Sequence, residues 1–297
     1  MAAASHVAAA RPRRRRNAAA AFVAAQPMGA AALAVIVAMA GAATFAELVA
    51  PYDPVAVDFG AMLAAPSIAH PFGTDAFGRD VLSRLIHGSR TALAIGVISS
   101  SFGCTLGAAI GVASAYFGGR IDLAIQRVVD VLLSFPIIVL AIVVVTVLGK
   151  NAVLGVDLNL IAAIAIPIVP KVARVVRSSA LAIREMPYVD AARAAGYSHA
   201  RIIFRHMTPN IVAPYLIMLT AFIAQAILLE ASLSFLGLGV TEPTPAWGLM
   251  LSGNAADFYR EAPWIILFPG LAISLAVFAF NLLGDSLRDW LDPRFKI

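Results

Sequence analysis

The chain has 297 residues, 61% of them hydrophobic and 13% charged, with a mean hydropathy of +0.86. Repeated apolar runs of roughly 20 residues exclude a soluble domain and indicate a polytopic helical membrane protein. The net charge of +5 does not imply nucleic acid, because the basic residues are distributed by loop rather than gathered on one water-soluble face. Cys104, in an apolar run, is the single cysteine, so no intrachain disulfide can form.

Residues 1–27 are rich in alanine and carry Arg11, Arg13, Arg14, Arg15 and Arg16. Too little bulk is present to bury, which predicts a disordered basic cytoplasmic tail. A basic stretch ahead of an apolar run is either the start of a cleaved signal peptide or the cytoplasmic anchor of a retained helix. Small residues from Gly41 to Thr44 would allow cleavage, but the run over residues 28–50 is long for a signal core, which favours retention.

Residues 28–90 read as a first transmembrane helix plus an extracytoplasmic segment. That segment opens on PYDP, turns at Gly73, and from Asp80 carries Val81, Leu82, Leu85 and Ile86 on one side, as an interfacial amphipathic helix would. Asp75 and Asp80 flank Gly78, but two carboxylates fall far short of a calcium loop.

Residues 91–297 form the core domain, with five more spans expected at 91–117, 128–149, 158–176, 211–236 and 264–283. Pro167 and Pro170 interrupt the fourth, and Lys171, Arg174 and Arg177 follow. Its inner end must therefore kink and snorkel its charges, or emerge early. Asp130 with Arg127 reads as a snorkelled interface pair. With the N-terminus inside, 17 of the 22 Lys and Arg residues fall on inner segments and five on outer ones. The positive-inside rule then puts both termini and residues 185–210 in the cytoplasm.

Residues 185–210 are a polar, cationic island between apolar runs. Pro187 suits a first helical position, and Gly196 suits the left-handed residue past the end. Ala191, Ala192, Ala194 and Ala195 leave no bulk, so this helix can lie close against a foreign surface while Arg184, Asp190 and Arg193 orient it. Ser198 caps a second segment that carries Ile202, Ile203 and Phe204 towards the membrane, and Pro209 opens the next apolar run. A solvated loop helix with surplus positive charge is the plainer alternative.

Glu230 lies well inside the fifth span, where a carboxyl must face a bundle interior, a partner or water. Substrate contact and a hydrogen bond across helices both remain open for it. Beyond it, Gly237, Gly239, Pro243, Pro245, Trp247 and Trp264 shape the segment 237–263. Its tryptophans suit a membrane interface, and it either meets a delivery protein, forms part of an outer gate, or packs on the chain's own helices.

The order Asp190-Ala191-Ala192, three residues, Gly196 and then Pro209 resembles the EAA loop of ABC-importer permeases: Glu-Ala-Ala, three residues, Gly, nine residues, Ile-x-Leu-Pro. Asp190 replaces the Glu, and His206 and Thr208 replace the Ile and Leu. HPFGTDAFGRDVLSRLIHGSR, RIIFRH-x-x-PN, LSFLGLGV-x-x-PTPAWG and FNLLGDSLRDWLDPR resemble the C-type subunit of dipeptide and oligopeptide importers. Together these segments extend the likeness from about residue 51 to the end.

The resemblance implies an all-α type I importer domain of six transmembrane helices in the cytoplasmic membrane of a prokaryote. It implies a coupling helix in which Pro187, Asp190, Ala191, Ala192, Arg193, Gly196 and Pro209 serve a cytoplasmic ATPase. It further implies a heterodimer with a homologous B-type permease, two ATPase subunits that hold ATP and Mg, and an extracytoplasmic substrate-binding protein. Peptides are the implied cargo, with nickel and glutathione carried by the same subfamily.

The chain has no G-x-x-x-x-G-K-[ST], H-E-x-x-H or G-x-S-x-G motif and no Cys/His cluster, so no enzyme constellation is present and ATP hydrolysis falls to other chains. Two other classes compete. A secondary transporter would need midplane ion ligands, for which only Glu230 is available. An intramembrane enzyme would need a nucleophile and base in the bilayer, yet all five histidines fall outside the expected spans.

Overall fold

A backbone in hydrocarbon must satisfy its own N–H and C=O groups, and the apolar runs accordingly fold as helices. The computed structural model describes residues 18–149, 152–153 and 156–291. Its helices are α1 (Ala18–Ala25), α2 (Pro27–Thr44), α3 (Val81–Phe117), α4 (Gly119–Leu133), α5 (Ile137–Leu148), α6 (Leu158–Arg184), α7 (Pro187–Ala194), α8 (Thr208–Phe235) and α9 (Trp264–Leu291), with a few single turns between them. Strands β1 (Ala152–Val153) and β2 (Val156–Asp157) make one small antiparallel pair. Among the described residues five helices are long and apolar enough to cross a membrane, or six spans if the bent pair α4 and α5 counts as one.

The tightest seam runs between α3 and α6. Gly103, Gly107 and Gly111 recur every four residues, and a Cβ on each would lie 2.9, 2.6 and 2.5 Å from the carbonyl oxygens of Ala165, Val169 and Ala173. Backbones can touch only where no side chain intervenes, which is how helices associate without a hydrophobic drive between them. Around this seam Ile164, Ile168, Val172 and Val176 of α6 pack with Leu229 and Leu233 of α8. A second cluster joins Val81 and Leu85 to Ile227, Trp247, Ile265 and Phe280. The bundle thus has one end carrying residues 185–207, here the loop end, and an opposite end carrying residues 50–80 and 236–263.

Four expectations need correction. The helix from Asp80 is not a separate interfacial element: it is the first part of the 37-residue α3, about 55 Å long. Val81 is buried in protein, and Gly88 lies against the Trp247 indole, where a Cβ would come within 2.8 Å of Cδ1. The third span is broken at Ser134-Phe135-Pro136, where α4 and α5 diverge by 93°. Pro136 removes an N–H and disfavours helix at the residue before it. At 12 residues, α5 spans roughly 18 Å, too little to cross a core of about 30 Å alone.

Helix α6 runs through Pro167 and Pro170 to Arg184, and its cations meet carboxylates: Arg177 pairs with Asp122, and Arg174 pairs with Asp130. Asp130 is therefore bridged across helices rather than to Arg127. Finally, the stretch expected to be a disordered tail contains α1, whose Phe22 ring meets Trp290 edge-on at 5.6 Å. Residues 1–17, including the arginine run, lie outside the described residues.

Candidate functional site

Helix α7 starts with Pro187 in its first turn and ends in a Schellman motif. The Gly196 N–H donates to the Arg193 carbonyl at 3.0 Å, and the Tyr197 N–H donates to the Ala192 carbonyl at 3.2 Å. Gly196 has φ +75°, and among the described residues no atom lies within 4 Å of where its Cβ would stand. A side chain there would be strained by the backbone alone, with space around it left open. Val189 and Ala192 are buried and seat the helix on the protein, while Pro187, Asp190, Ala191, Arg193 and Gly196 are exposed. The Arg193 guanidinium donates to Asp190 at 3.0 Å.

After α7, Ser198 accepts from the Arg201 N–H at 3.4 Å, and a one-turn helix leads into a π turn over Ile202–Met207. The π turn precedes Pro209, whose ring and missing N–H cannot join a regular ladder. Two side chains occupy the carbonyls there: the Thr208 hydroxyl donates to Ile203 at 2.9 Å, and the Asn210 amide donates to His206 at 2.8 Å. Thr208, a departure from the EAA pattern, thus has a local structural task.

Several contacts that sequence reasoning did not anticipate tie this loop to the bundle. Tyr116, in the last turn of α3, hydrogen-bonds His199 Nδ1 at 2.7 Å, and the Arg193 guanidinium lies 5.8 Å from its ring centroid. Arg184 donates to the Ala115 carbonyl at 2.9 Å, and Asn210 donates to the Tyr188 hydroxyl at 3.1 Å. Asp122 of α4 accepts from Arg177 at 2.6 and 2.5 Å and from the Ser114 hydroxyl at 2.5 Å. The one local cue for Tyr116 is its place just ahead of Gly118 and Gly119, at the end of an apolar run.

At the opposite end, Asp80 caps α3 by accepting from the Ser83 N–H and hydroxyl, both at 2.7 Å, and it contacts His70 Nδ1 at 2.9 Å. Asp75 accepts from Arg79 Nε at 2.6 Å. Glu242 reaches across to both arginines, at 2.8 and 3.4 Å from Arg79 and 3.5 Å from Arg84. These four charges line a cavity of about 220 Å3. Burial works against the Arg79 charge, but Glu242 and Asp75 outweigh it and raise the pKa above the ordinary arginine value. Trp247 and Trp264 do not serve as lipid-interface anchors through their N–H groups: they donate inside the protein, to Leu85 at 2.9 Å and Thr74 at 3.0 Å.

Glu230 is fully buried in α8. Its Oε1 accepts from Ser234 at 2.7 Å, and the Ser234 hydroxyl in turn accepts from the Val240 N–H at 3.1 Å. Among the described residues Oε2 has no hydrogen-bond partner. The carboxyl is therefore enclosed near the opposite end of the bundle, far along α8 from Pro209, and joins its own helix to the segment that follows.

The structure brings Pro187, Asp190, Ala191, Ala192, Arg193 and Gly196 onto one short helix and its cap, with Pro209 one π turn beyond. Among proteins of known name, a putative peptide transport system permease of Brucella suis biovar 1 is 45% identical over 257 residues, 86% of this chain and 84% of the relative. A dipeptide transport system permease of Alkalihalophilus pseudofirmus is 44% identical over 79% of this chain and 75% of its own length. A glutathione transport system permease of Escherichia coli O6:K15:H31 is 42% identical over 91% and 88%. Among solved structures, a chain of the inward-facing MetNI methionine ABC transporter aligns with a TM-score of 0.49 and 19% identity, covering 68% of this chain and 95% of that one. Residues 103–297 match the family described as the inner membrane component of binding-protein-dependent transport systems. The chain belongs to that family of multi-pass membrane permeases.

Proposed function

We propose that the chain is the permease subunit of an ATP-driven importer of dipeptides or oligopeptides, with both termini and α7 in the cytoplasm. It would pair with a homologous permease, two ATPase subunits that bind ATP and Mg, and an extracytoplasmic binding protein. The observation that carries this reading is α7 itself: a short alanine-rich helix with one buried strip and an otherwise free surface, on a chain whose other long helices are apolar. Its small side chains let a cleft of the ATPase close around the backbone. Peptide and dipeptide permeases at 45% and 44% identity support the cargo class. The glutathione permease at 42% identity supports a tripeptide of that kind as the second reading.

In the mechanism, ATP binds one state of the assembly better than the other, and that difference in affinity is all a nucleotide can contribute. Closure of the ATPases displaces α7. The links from Tyr116 to His199, from Arg184 to Ala115 and from Asn210 to Tyr188 carry that displacement into α3 and α8 as rigid bodies. Access to the central path then alternates between the two sides.

The test is uptake into proteoliposomes holding the complete transporter, with ATP inside, binding protein outside and labelled alanyl-alanine as cargo. ATP-dependent uptake that unlabelled dipeptides suppress is the expected result. Suppression by glutathione or nickel alone would change the cargo, and uptake without ATPase subunits would replace the mechanism with an ion-coupled one.

A further inference from the structure

We propose that Arg79 and Arg84 form a receptor for the free carboxylate of a small peptide, and that the chain's own Glu242 occupies this receptor until a peptide displaces it. The inference rests on the peptide-import reading above and adds a site to it. Both guanidiniums are withdrawn from water, with Arg84 only 1% exposed, whereas Glu242 is 48% exposed. Of the three Glu242 contacts one is short, at 2.8 Å, and two are long, at 3.4 and 3.5 Å. Among the described residues Arg84 Nε is buried without a hydrogen-bond partner, and an Asp75 carboxylate oxygen stands 3.8 Å away. A buried donor left unmade is costly, and a planar guanidinium pairs best with a carboxylate that meets two of its N–H groups together.

The adjoining space suits such a ligand. The cavity of about 220 Å3 is lined by Arg79, Arg84, Asp75 and Glu242 together with the apolar Leu249, Met250 and Ile265. It exceeds the roughly 150 Å3 that accommodates a benzene ring, so a terminal residue with an apolar side chain fits. Exchange also conserves charge. Two guanidiniums face two carboxylates before and after, Asp75 keeps its 2.6 Å bond to Arg79, and Glu242 moves into water it already half occupies.

The test measures peptide binding to the full transporter complex in lipid nanodiscs, without binding protein or nucleotide. The probes are alanyl-leucine, its N-acetyl form and its C-terminal amide. The free and N-acetyl forms bind, and the amide binds roughly tenfold more weakly or worse, because the carboxylate makes the contact. Glu242→Gln removes the internal competitor and tightens binding about threefold or more, while Arg79→Gln weakens it about tenfold. Equal binding of the amide, or unchanged or weaker binding to Glu242→Gln, would overturn the proposal. If Arg79→Gln fails to assemble, the amide contrast and Glu242→Gln still decide. Neither ATP nor binding protein enters this measurement, so its failure leaves the import reading standing. Failed dipeptide uptake with binding intact would remove the cargo assignment instead.

Discussion

Asp122 and Asp130 lie on one helix and pair with Arg177 and Arg174 on another, yet burial separates their worth. Asp122 and Arg177 are 17% and 28% exposed, and Asp130 and Arg174 about half exposed. The first pair also takes a hydrogen bond from Ser114. Asp122→Asn should therefore cost about 1–2 kcal/mol after allowance for screening, and Asp130→Asn at most about 0.5 kcal/mol. Denaturant titration of the purified complex, followed by helical circular dichroism, compares them, and equal losses would contradict this ranking. The cations were legible in the sequence as a row at spacing three. Their partners were not, because the pairing depends on how α4 turns back against α6 once Pro136 has broken the span.

At the scale of the helix, the α3 and α6 seam makes a sharper demand than any side chain in it. A Cβ at Gly107 would stand 2.6 Å from the Val169 carbonyl and 2.8 Å from Val172 Cβ. Gly107→Val is expected to lower stability by about 1–3 kcal/mol through overpacking. Gly41, in α2 with nothing within 4 Å, is the control: Gly41→Ala should be neutral or stabilising by up to about 1 kcal/mol. Retention of monodisperse complex after graded heating reads the difference, and equal retention would refute close backbone contact at Gly107. Hydrophobic runs made most helices legible, since a backbone in lipid has few other options. The unity of α3 was hidden because His87, Ser89 and Arg90 look like the end of an outer segment. In the fold, Arg90 is satisfied by the Ala43 carbonyl at 3.0 Å, which α2 supplies from elsewhere in the chain. The cap of α7 was fully legible, because Pro187 and Gly196 act locally. The Tyr116 link to His199 was not, because it joins residues 83 positions apart.

For the whole molecule, the proposed cytoplasmic placement of the loop end rests on the 17 to 5 division of Lys and Arg. With buried Cys104 replaced by alanine, a cysteine at exposed Val57 should react with an impermeant maleimide added outside cells, and one at exposed Gly196 only after the membrane is opened. The reverse pattern would invert the topology and remove α7 from reach of cytoplasmic ATPases. In the proposed mechanism α7 transmits ATPase closure, and one measurement addresses that directly. It is ATP hydrolysis by the reconstituted complex, with and without peptide-loaded binding protein, for wild type and Gly196→Trp. Open space around Gly196 lets the bulky residue leave the bundle intact, while the left-handed backbone and the foreign bulk spoil the mating surface. Loaded binding protein should stimulate wild type, and Gly196→Trp should abolish the stimulation in an assembled complex. Stimulation that survives Gly196→Trp in full would contradict the coupling role of α7.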